Sequence, residues 1–515
     1  MRLVPEFLEH SAARLPDKVA LVSQKRRVTY REIDERANRL AHHLRAAGVS
    51  RGDRVALYAD NGVDLVVALW SALKADGVFI VVNPLTRAEK LGYILRDSGA
   101  TALVTEALHA REWRAAVAQA PALRAVVVTG AVRPELLEGV PGAASLEAAE
   151  AAQPSTRPFR RSLAVDLACV IYTSGSTGEP KGVMLTHQNM EFASWSITTL
   201  LSNTEDDVIL GAIPLAFNYG LYQLLMAFRL GARLVLERSF AFPVQVLRLM
   251  AEEGVTGFPG VPTMYAMLAE LKNVTLPDLS SVRYITNTAA ALQPGHIEAL
   301  ERLFPRAGIW SMYGLTECKR CSYLPAQDLH RKPGSVGFAI PGTELWIVDE
   351  HGQRAAPGVV GELVVRGPHI MKGYLNKPEL TARFLRPGPL PNELVFYTGD
   401  YCRVDEEGYL YFVSRMDEVI KSRGEKVPPA EVEAALARIE GVKEVAVIGV
   451  ADPILGQAIK AFLVMNDDAK GRYTEKDITT RVSAFLESYM VPKFVVFLDE
   501  FPKTAMGKTL KKELK

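Results

Sequence analysis

The run Tyr172-Thr173-Ser174-Gly175-Ser176-Thr177-Gly178-Glu179-Pro180-Lys181-Gly182 is where residue type and spacing point most directly to chemistry. Small residues let backbone N–H groups approach anionic oxygens, hydroxyls add donors, and Lys181 brings a positive charge, which together suit a polyphosphate. A generic Ser/Gly loop is usually only a connection. An ordered run closing in Pro-Lys-Gly is more specific. On one side Leu167-Ala-Cys-Val-Ile171 reads as a short buried strand; on the other Val183-Met-Leu-Thr-His187 resumes an apolar stretch.

Further candidates lie downstream. Trp310-Ser-Met312-Tyr313-Gly314-Leu-Thr316-Glu317 combines an aromatic, a glycine, a hydroxyl and a carboxylate, a set able to stack a base and hold a cation. Tyr313 as plain core and Glu317 as a solvated end fit the local pattern equally well. Tyr397-Thr-Gly-Asp400 offers a carboxylate after a tight turn, suited to accepting two ribose hydroxyls, although most Gly-Asp turns are only turns. Arg415 and Asp417 precede the polar loop Glu418-Val-Ile-Lys421-Ser-Arg-Gly424-Glu-Lys-Val427, which composition alone allows to be a charged linker. Pro502-Lys-Thr-Ala-Met-Gly-Lys508-Thr places a lysine in a turn, where solvated surface is the ordinary reading. Cys318-Lys-Arg-Cys321 is a lone CxxC without a second pair or nearby histidines, which favours buried or pocket-lining thiols over a metal. Two generic nucleotide motifs fail. Pro502 stands where a Walker sequence ending in Gly507-Lys508-Thr509 needs its first glycine, and no GxGxxG opens a helix after a strand.

The elements that must position these residues alternate. Val28-Thr29-Tyr-Arg-Glu32 begins a helix with a Thr29 cap, and Gly48 ends it. Arg54 to Tyr58 and Val78 to Val82 read as strands, with a helix from Leu65 to Lys74 between them. Strand and helix patterns alternate to about residue 310, predicting a doubly wound α/β fold with parallel sheets. Residues 131–162, rich in Pro, Ala, Gly and Glu, read as a loose excursion. From residue 334 short strands and Gly/Asp turns predict a β-rich lobe, and a small α+β domain follows the boundary near Ser414.

Bulk composition narrows the classes. Across 515 residues, Lys+Arg 60 against Asp+Glu 59 leaves a net charge of +1, so no polyanion-seeking field exists and nucleic acid is not expected as a partner. Four cysteines make no disulfide framework. No apolar run reaches the roughly 20 residues of a transmembrane helix, and the first residues carry no signal-peptide pattern. A cytoplasmic location is therefore expected.

Val28-Thr-Tyr-Arg-Glu32, Leu73-Lys-Ala-Asp-Gly-Val78, residues 172–182, 313–317, 397–400, 415–427 and 502–508, in that order, resemble the adenylate-forming superfamily of acyl- and aryl-CoA ligases, luciferases and peptide-synthetase adenylation domains. The likeness runs over nearly the whole chain and is strongest to the acyl-/aryl-CoA ligase branch of benzoate or anthranilate type. It implies an N-terminal domain over residues 1–414 that binds ATP and an acid, a hinge at 415–417 centred on Asp417, and a mobile C-terminal domain over 418–515. By resemblance Thr173, Ser174, Gly175, Ser176, Thr177, Gly178 and Lys181 take the β- and γ-phosphates, with Thr173 also catalytic. Glu317 holds Mg²⁺. Tyr313 packs on adenine beside Thr288, Ala289 and Ala290, with Gly314 and Thr316 close by. Asp400 and Arg415 take the ribose. Lys508 bridges the substrate carboxylate and the α-phosphate, and Lys421 and Gly424 belong to the loop presented to the pantetheine arm of coenzyme A.

The acid pocket departs from common patterns. Asn218, in Pro214-Leu-Ala-Phe217-Asn218-Tyr-Gly-Leu221, stands where amino-acid-activating relatives place an Asp, and a neutral amide cannot pair with an ammonium. Some aryl-acid-activating relatives also have Asn-Tyr here, and an amide suits an ortho hydroxyl or amine. A loop-tying role is the alternative. Asn287-Thr288-Ala-Ala-Ala-Leu292 replaces the Gly-Gly-Ala-Pro of many relatives, which narrows any tunnel beyond the pocket. Phe217, Phe258 and Met312 are candidate walls or core, and Gly314 lies beside them. The expected acid is an ortho-substituted benzoate, anthranilate ahead of salicylate, with a medium- or long-chain fatty acid second. Coenzyme A is the expected acceptor and an acyl carrier protein the alternative. A non-catalytic nucleotide-binding protein is disfavoured by the intact Lys181, Glu317, Asp400 and Lys508 set.

Overall fold

The computed structural model describes residues 2–514 except 174–179, 272–273, 289–291, 417, 423–424, 453–455, 487–488 and 505–508, and except the side chains at 421, 425, 426 and 456. Among the described residues the chain builds four sheets.

The first helix of the predicted alternation, Tyr30–Ala46, starts where the sequence places it. The Thr29 side chain accepts from the Glu32 N–H at 3.2 Å, and the Glu32 carboxylate accepts from the Thr29 N–H at 2.7 Å, a reciprocal capping box. Ile33, Ala37, Leu40, Ala41 and Leu44 form its buried stripe, the spacing of one helix face. Helix Val63–Lys74 is buried at every residue but Asp64 and ends in Lys74, whose ammonium lies 2.7 Å from Asp34, 2.8 Å from Asn38 and 3.2 Å from Glu9. A buried cation thus meets a matched set of oxygens.

One sheet runs edge to edge through Phe338–Ala339, Ser322–Leu324, Gly308–Tyr313, Tyr284–Asn287, Gly257–Gly260, Val208–Gly211, Arg233–Leu236, Val19–Ser23 and Arg26–Thr29. A second runs Gly373–Tyr374, Lys181–Thr186, Leu167–Thr173, Val78–Val82, Arg54–Tyr58, Ala102–Glu106, Ala125–Thr129 and Ala143–Ser145. Their interiors are parallel, as predicted, but the edges that carry site residues are antiparallel. A helix-linked parallel core buries continuous apolar strands such as Val78–Val82, while the antiparallel edges allow short loops.

The loose excursion predicted for residues 131–162 is partly ordered. Ala143–Ser145 adds a parallel edge strand, and helix Leu146–Ala151 buries Leu146 and Ala149 with Ser145 as its cap. So short a strand, made of alanines and serine, carries almost no periodicity to read. The β-rich lobe comprises Glu344–Val348, Gly361–Arg366, Leu385–Pro387, Leu394–Val404 and Leu410–Arg415, all antiparallel. Ile420–Ser422, Glu425–Val427, Val442–Asp452, Gly456–Met465 and Phe494–Leu498 form the sheet of the small C-terminal domain, with helices Pro429–Leu436 and Glu475–Val482. Its core, including Val432, Leu436, Val447, Leu463 and Ile478, is separate from those of the large domain. No helix among the described residues is long and apolar enough to cross a membrane.

Candidate active site

Strands Leu167–Thr173 and Lys181–Thr186 form an antiparallel hairpin with Thr173 opposite Lys181 and Tyr172 opposite Gly182. The predicted Ser174, Gly175, Ser176, Thr177 and Gly178 lie outside the described residues. The loop end of the hairpin is anchored by the Tyr172 hydroxyl, which donates to Asp97 at 2.6 Å, and by Tyr93, which donates to the Pro180 carbonyl at 3.3 Å. Lys181 Nζ lies 5.9 Å from the ring centroid of Tyr374.

Tyr374 is the residue that sequence reading missed. Its short strand, Gly373–Tyr374, pairs with the Lys181 strand, placing Tyr374 opposite Val183. Its hydroxyl donates to Glu317 Oε1 at 2.7 Å, and the nearby Met371 N–H donates to the Glu317 carbonyl at 2.7 Å. Thr173, Lys181 and Glu317 are therefore brought together through one buried aromatic. Burial, and then the Glu317 charge, push the Tyr374 phenol above its ordinary value, so it remains a donor. Only the Gly-Tyr dipeptide in Met371-Lys-Gly-Tyr-Leu375 could have marked it, a weak signal. One Glu317 oxygen is engaged by Tyr374, and no described residue takes the other, so the carboxylate fits a hard cation such as Mg²⁺.

Asp400, on Leu394–Val404, pairs across the sheet with Arg415, the last residue of Leu410–Arg415. Arg415 Nε lies 3.0 Å from Asp400 Oδ1, and the Tyr313 hydroxyl donates to Asp400 Oδ2. The Asp400 N–H donates to Thr398 Oγ1 at 3.1 Å. Burial, and then Asp400, raise the Tyr313 phenol well above its ordinary value. Phe412 packs beside Tyr313, with ring centroids 6.1 Å apart. The sequence-predicted Tyr313, Asp400 and Arg415 thus form one connected group, and a buried carboxylate next to an aromatic suits a ribose diol and its base. Ala289, Ala290, Asp417, Gly424 and Lys508 lie outside the described residues. Of Lys421 only the backbone is described, opposite Lys426 in a hairpin.

The candidate acid pocket lies beyond the carboxyl ends of adjacent parallel strands, where open α/β sheets place ligands. Gly260, Asn287 and Ser311 are in register there, with half-buried Thr288 following Asn287. Phe217 precedes helix Asn218–Leu230 and is half-buried, like Asn218. Asn218 Oδ1 is buried and without a hydrogen-bond partner among the described residues, while its backbone carbonyl accepts from Lys319 Nζ at 3.1 Å. Gly220 lets the helix start press on the preceding loop, because a Cβ there would sit 2.4 Å from the Pro214 oxygen. Met312 is buried on Gly308–Tyr313. Phe258 belongs to the core, packed among Phe240, Tyr265 and Phe304.

Residues 314–321 join Gly308–Tyr313 to the antiparallel Ser322–Leu324, closed by a 2.9 Å bond from the Cys321 N–H to the Tyr313 carbonyl. Gly314 is required by close approach, since a Cβ would lie 2.1 Å from the Lys319 oxygen. Thr316 is half-buried on this loop. Cys318 and Cys321 are buried free thiols, and burial pushes Cys318 up, which does not suit a thiolate metal site.

Residues 8–375 match the sequence profile of the AMP-binding enzyme family and residues 431–508 that of the AMP-binding enzyme C-terminal domain. A feruloyl-CoA synthase from an Amycolatopsis species is 36% identical over 493 residues, covering 95% of this chain and 93% of that protein. A long-chain-fatty-acid–CoA ligase of Bacillus subtilis is 32% identical over 539 residues, covering 100% and 94%. The crystal structure of the anthranilate CoA ligase AuaEII in complex with anthranoyl-AMP superposes with a TM-score of 0.88 at 27% identity, covering 100% of this chain and 96% of that one. With both profiles matched in order on this two-domain frame, the chain belongs to the AMP-binding enzyme family, as an AMP-forming ligase of the acyl-/aryl-CoA synthetase class.

Proposed function

We propose that this ligase activates a benzoate bearing a polar ortho substituent, of the anthranilate or salicylate type, and passes the acyl group to coenzyme A. The observation that carries the reading is the Asn218 amide, whose buried Oδ1 lacks a partner among the described residues. An unpaired buried acceptor costs about 1–3 kcal/mol, which an ortho amine or hydroxyl offsets by donating to it. The side chains of Asn287 and Thr288, where many relatives carry glycine, support a flat ring over a long chain. The similar anthranilate ligase and feruloyl-CoA synthase support an aromatic acid; the Bacillus subtilis relative supports the fatty-acid alternative.

Carboxylate attack on the α-phosphate gathers anions, so positive charge and alignment supply the rate. Lys181, opposite Thr173 at the hairpin ends, neutralises the polyphosphate. Glu317, oriented by Tyr374, holds Mg²⁺, which when bound supplies Lewis-acid stabilisation of the phosphate oxygens. Asp400 accepts the ribose hydroxyls, kept in orientation by Arg415 and Tyr313. Lys508 joins the acid carboxylate to the α-phosphate. Pyrophosphate leaves, the acyl-adenylate is shielded from water, and rotation about Asp417 replaces Lys508 by the loop of Lys421 and Gly424. The thiol then attacks the activated carbonyl and AMP departs.

Acid-dependent pyrophosphate release over benzoates and fatty acids of graded length tests the reading. Ortho-amino or ortho-hydroxy benzoate is expected to exceed benzoate by roughly tenfold in kcat/KM, the worth of one buried hydrogen bond. A preference for fatty acids of eight or more carbons refutes it. Comparing free coenzyme A with carrier proteins as acceptors decides the second half-reaction.

A further inference from the structure

The return limb of the loop 314–321 carries two cations inward beside Asn218. Lys319 is 6% exposed and Arg320 2%. Lys319 Nζ lies 4.2 Å from the Tyr222 ring centroid, 5.4 Å from that of Tyr219, and 3.1 Å from the Asn218 carbonyl. The Arg320 guanidinium lies 4.7 Å over the Tyr219 ring and against the Met312 thioether. Among the described residues no carboxylate is paired with either; their polar surroundings are phenols, a thiol, the thioether and a carbonyl.

This departs from how the same fold treats a buried lysine elsewhere. Lys74 is as deeply placed and meets Glu9, Asp34 and Asn38. Two adjacent unneutralised cations, with a backbone at Lys319 in the left-handed region at φ 55°, are costly for folding alone. Aromatic faces attract cations but do not satisfy their N–H donors. An anionic group is the partner that both cations would match.

We propose that Lys319 and Arg320, beside Asn218 and Tyr219, form a recognition site for a second carboxylate on the acid substrate. The inference rests on the reading that the acid seats against Asn218, and it adds a charged group to that acid. Arg320 offers a planar fork that matches a carboxylate, and Lys319 a point charge beside it. Burial, and then the Arg320 charge, depress the Lys319 ammonium well below its ordinary value, a penalty that an incoming carboxylate relieves.

The test is pyrophosphate release by the full-length enzyme with paired acids: benzoate against phthalate, isophthalate and terephthalate, and octanoate against suberate, with anthranilate and salicylate as uncharged-substituent or phenolic arms. At least one dicarboxylate is expected to exceed its monocarboxylic partner tenfold or more in kcat/KM. Arg320→Met and Lys319→Met are expected to lower that ratio by tenfold or more, chiefly through KM. Arg320→Lys, which retains charge, should recover part of it. If the neutral variants do not fold, calorimetric binding of the best dicarboxylate and its partner to the wild type decides, and equal affinities overturn the proposal. Turnover confined to monocarboxylates, or a ratio unmoved in the variants, also overturns it while leaving the ligase reading intact. Turnover with no acid of a broad panel overturns both.

Discussion

Removing a single oxygen from Tyr374 isolates its link to Glu317. Tyr374→Phe keeps the ring that faces Lys181 at 5.9 Å and the backbone pairing with Val183, and deletes only the donor that sits 2.7 Å from Glu317 Oε1. A hydrogen bond to a charged group is worth about 1.5–3 kcal/mol. Since about 1.4 kcal/mol is tenfold in rate, adenylation is expected to fall by roughly 10- to 100-fold if that bond holds the carboxylate in its working position. The loss should appear in acid-dependent pyrophosphate release, accompanied by a higher Mg²⁺ concentration for half-maximal rate. Thioester formation from supplied acyl-adenylate should change far less, because that step no longer handles the polyphosphate. Circular dichroism and a thermal melt separate this from misfolding. A Tyr374→Phe enzyme with wild-type rate and Mg²⁺ dependence would show that Glu317 needs no such orientation and would refute the reasoning.

Other outcomes follow from particular residues. Lys508→Ala should abolish adenylation yet leave thioester formation from supplied adenylate largely intact; equal loss of both half-reactions would count against its bridging role. Asp417→Pro should impair thioester formation more than adenylation, and an unaffected second step removes Asp417 as the hinge. Lys74→Met should destabilise the fold by about 3–5 kcal/mol, nearer the lower figure because Arg160 remains beside Glu9; a melt within two degrees of wild type would contradict this. Burial pushes the Glu9 carboxyl upward, but Lys74, Arg160 and Arg157 outweigh it and hold the group below its ordinary 4.5. A folded-state value below the unfolded one contributes stability above pH 4.5 that is lost as pH falls through the folded value. In Lys74→Met that acid loss should begin at higher pH in stability measurements across the acid range.

Much of the frame was legible because it is local. The Thr29 cap and the strand leading to Thr173 are each written in a few adjacent residues, whereas the turn expected before Asp400 is instead a local irregularity at Gly399, φ 71°, inside the continuous strand Leu394–Val404. The ordered motifs then pointed to the AMP-binding enzyme family. What could not be read is what depends on distant partners. Tyr374 reaches Glu317 from a two-residue strand whose only distinction is its pairing with Lys181–Thr186. Phe258 offered the same apolar side chain to wall or core, and only the packing of Phe240, Tyr265 and Phe304 decides. Lys319 and Arg320 stand inside the CxxC with nothing local to mark them, because burial of a cation leaves no trace in local sequence.

The close approach at Gly314 has a consequence for how this scaffold can be altered. Tyr313 and Glu317 sit on the outgoing limb of one tight loop, and Lys319 and Arg320 on the limb that returns beneath Gly314. On the proposed reading, exchanging the side chains at 319 and 320 changes what the acid meets without adding a Cβ at the Gly314 contact. Inserting or deleting one residue, or giving position 314 a Cβ, moves both limbs at once. New acids should therefore be sought by point replacement at this loop, with its length held constant; loop grafts of unequal length would trade away nucleotide handling together with the old preference.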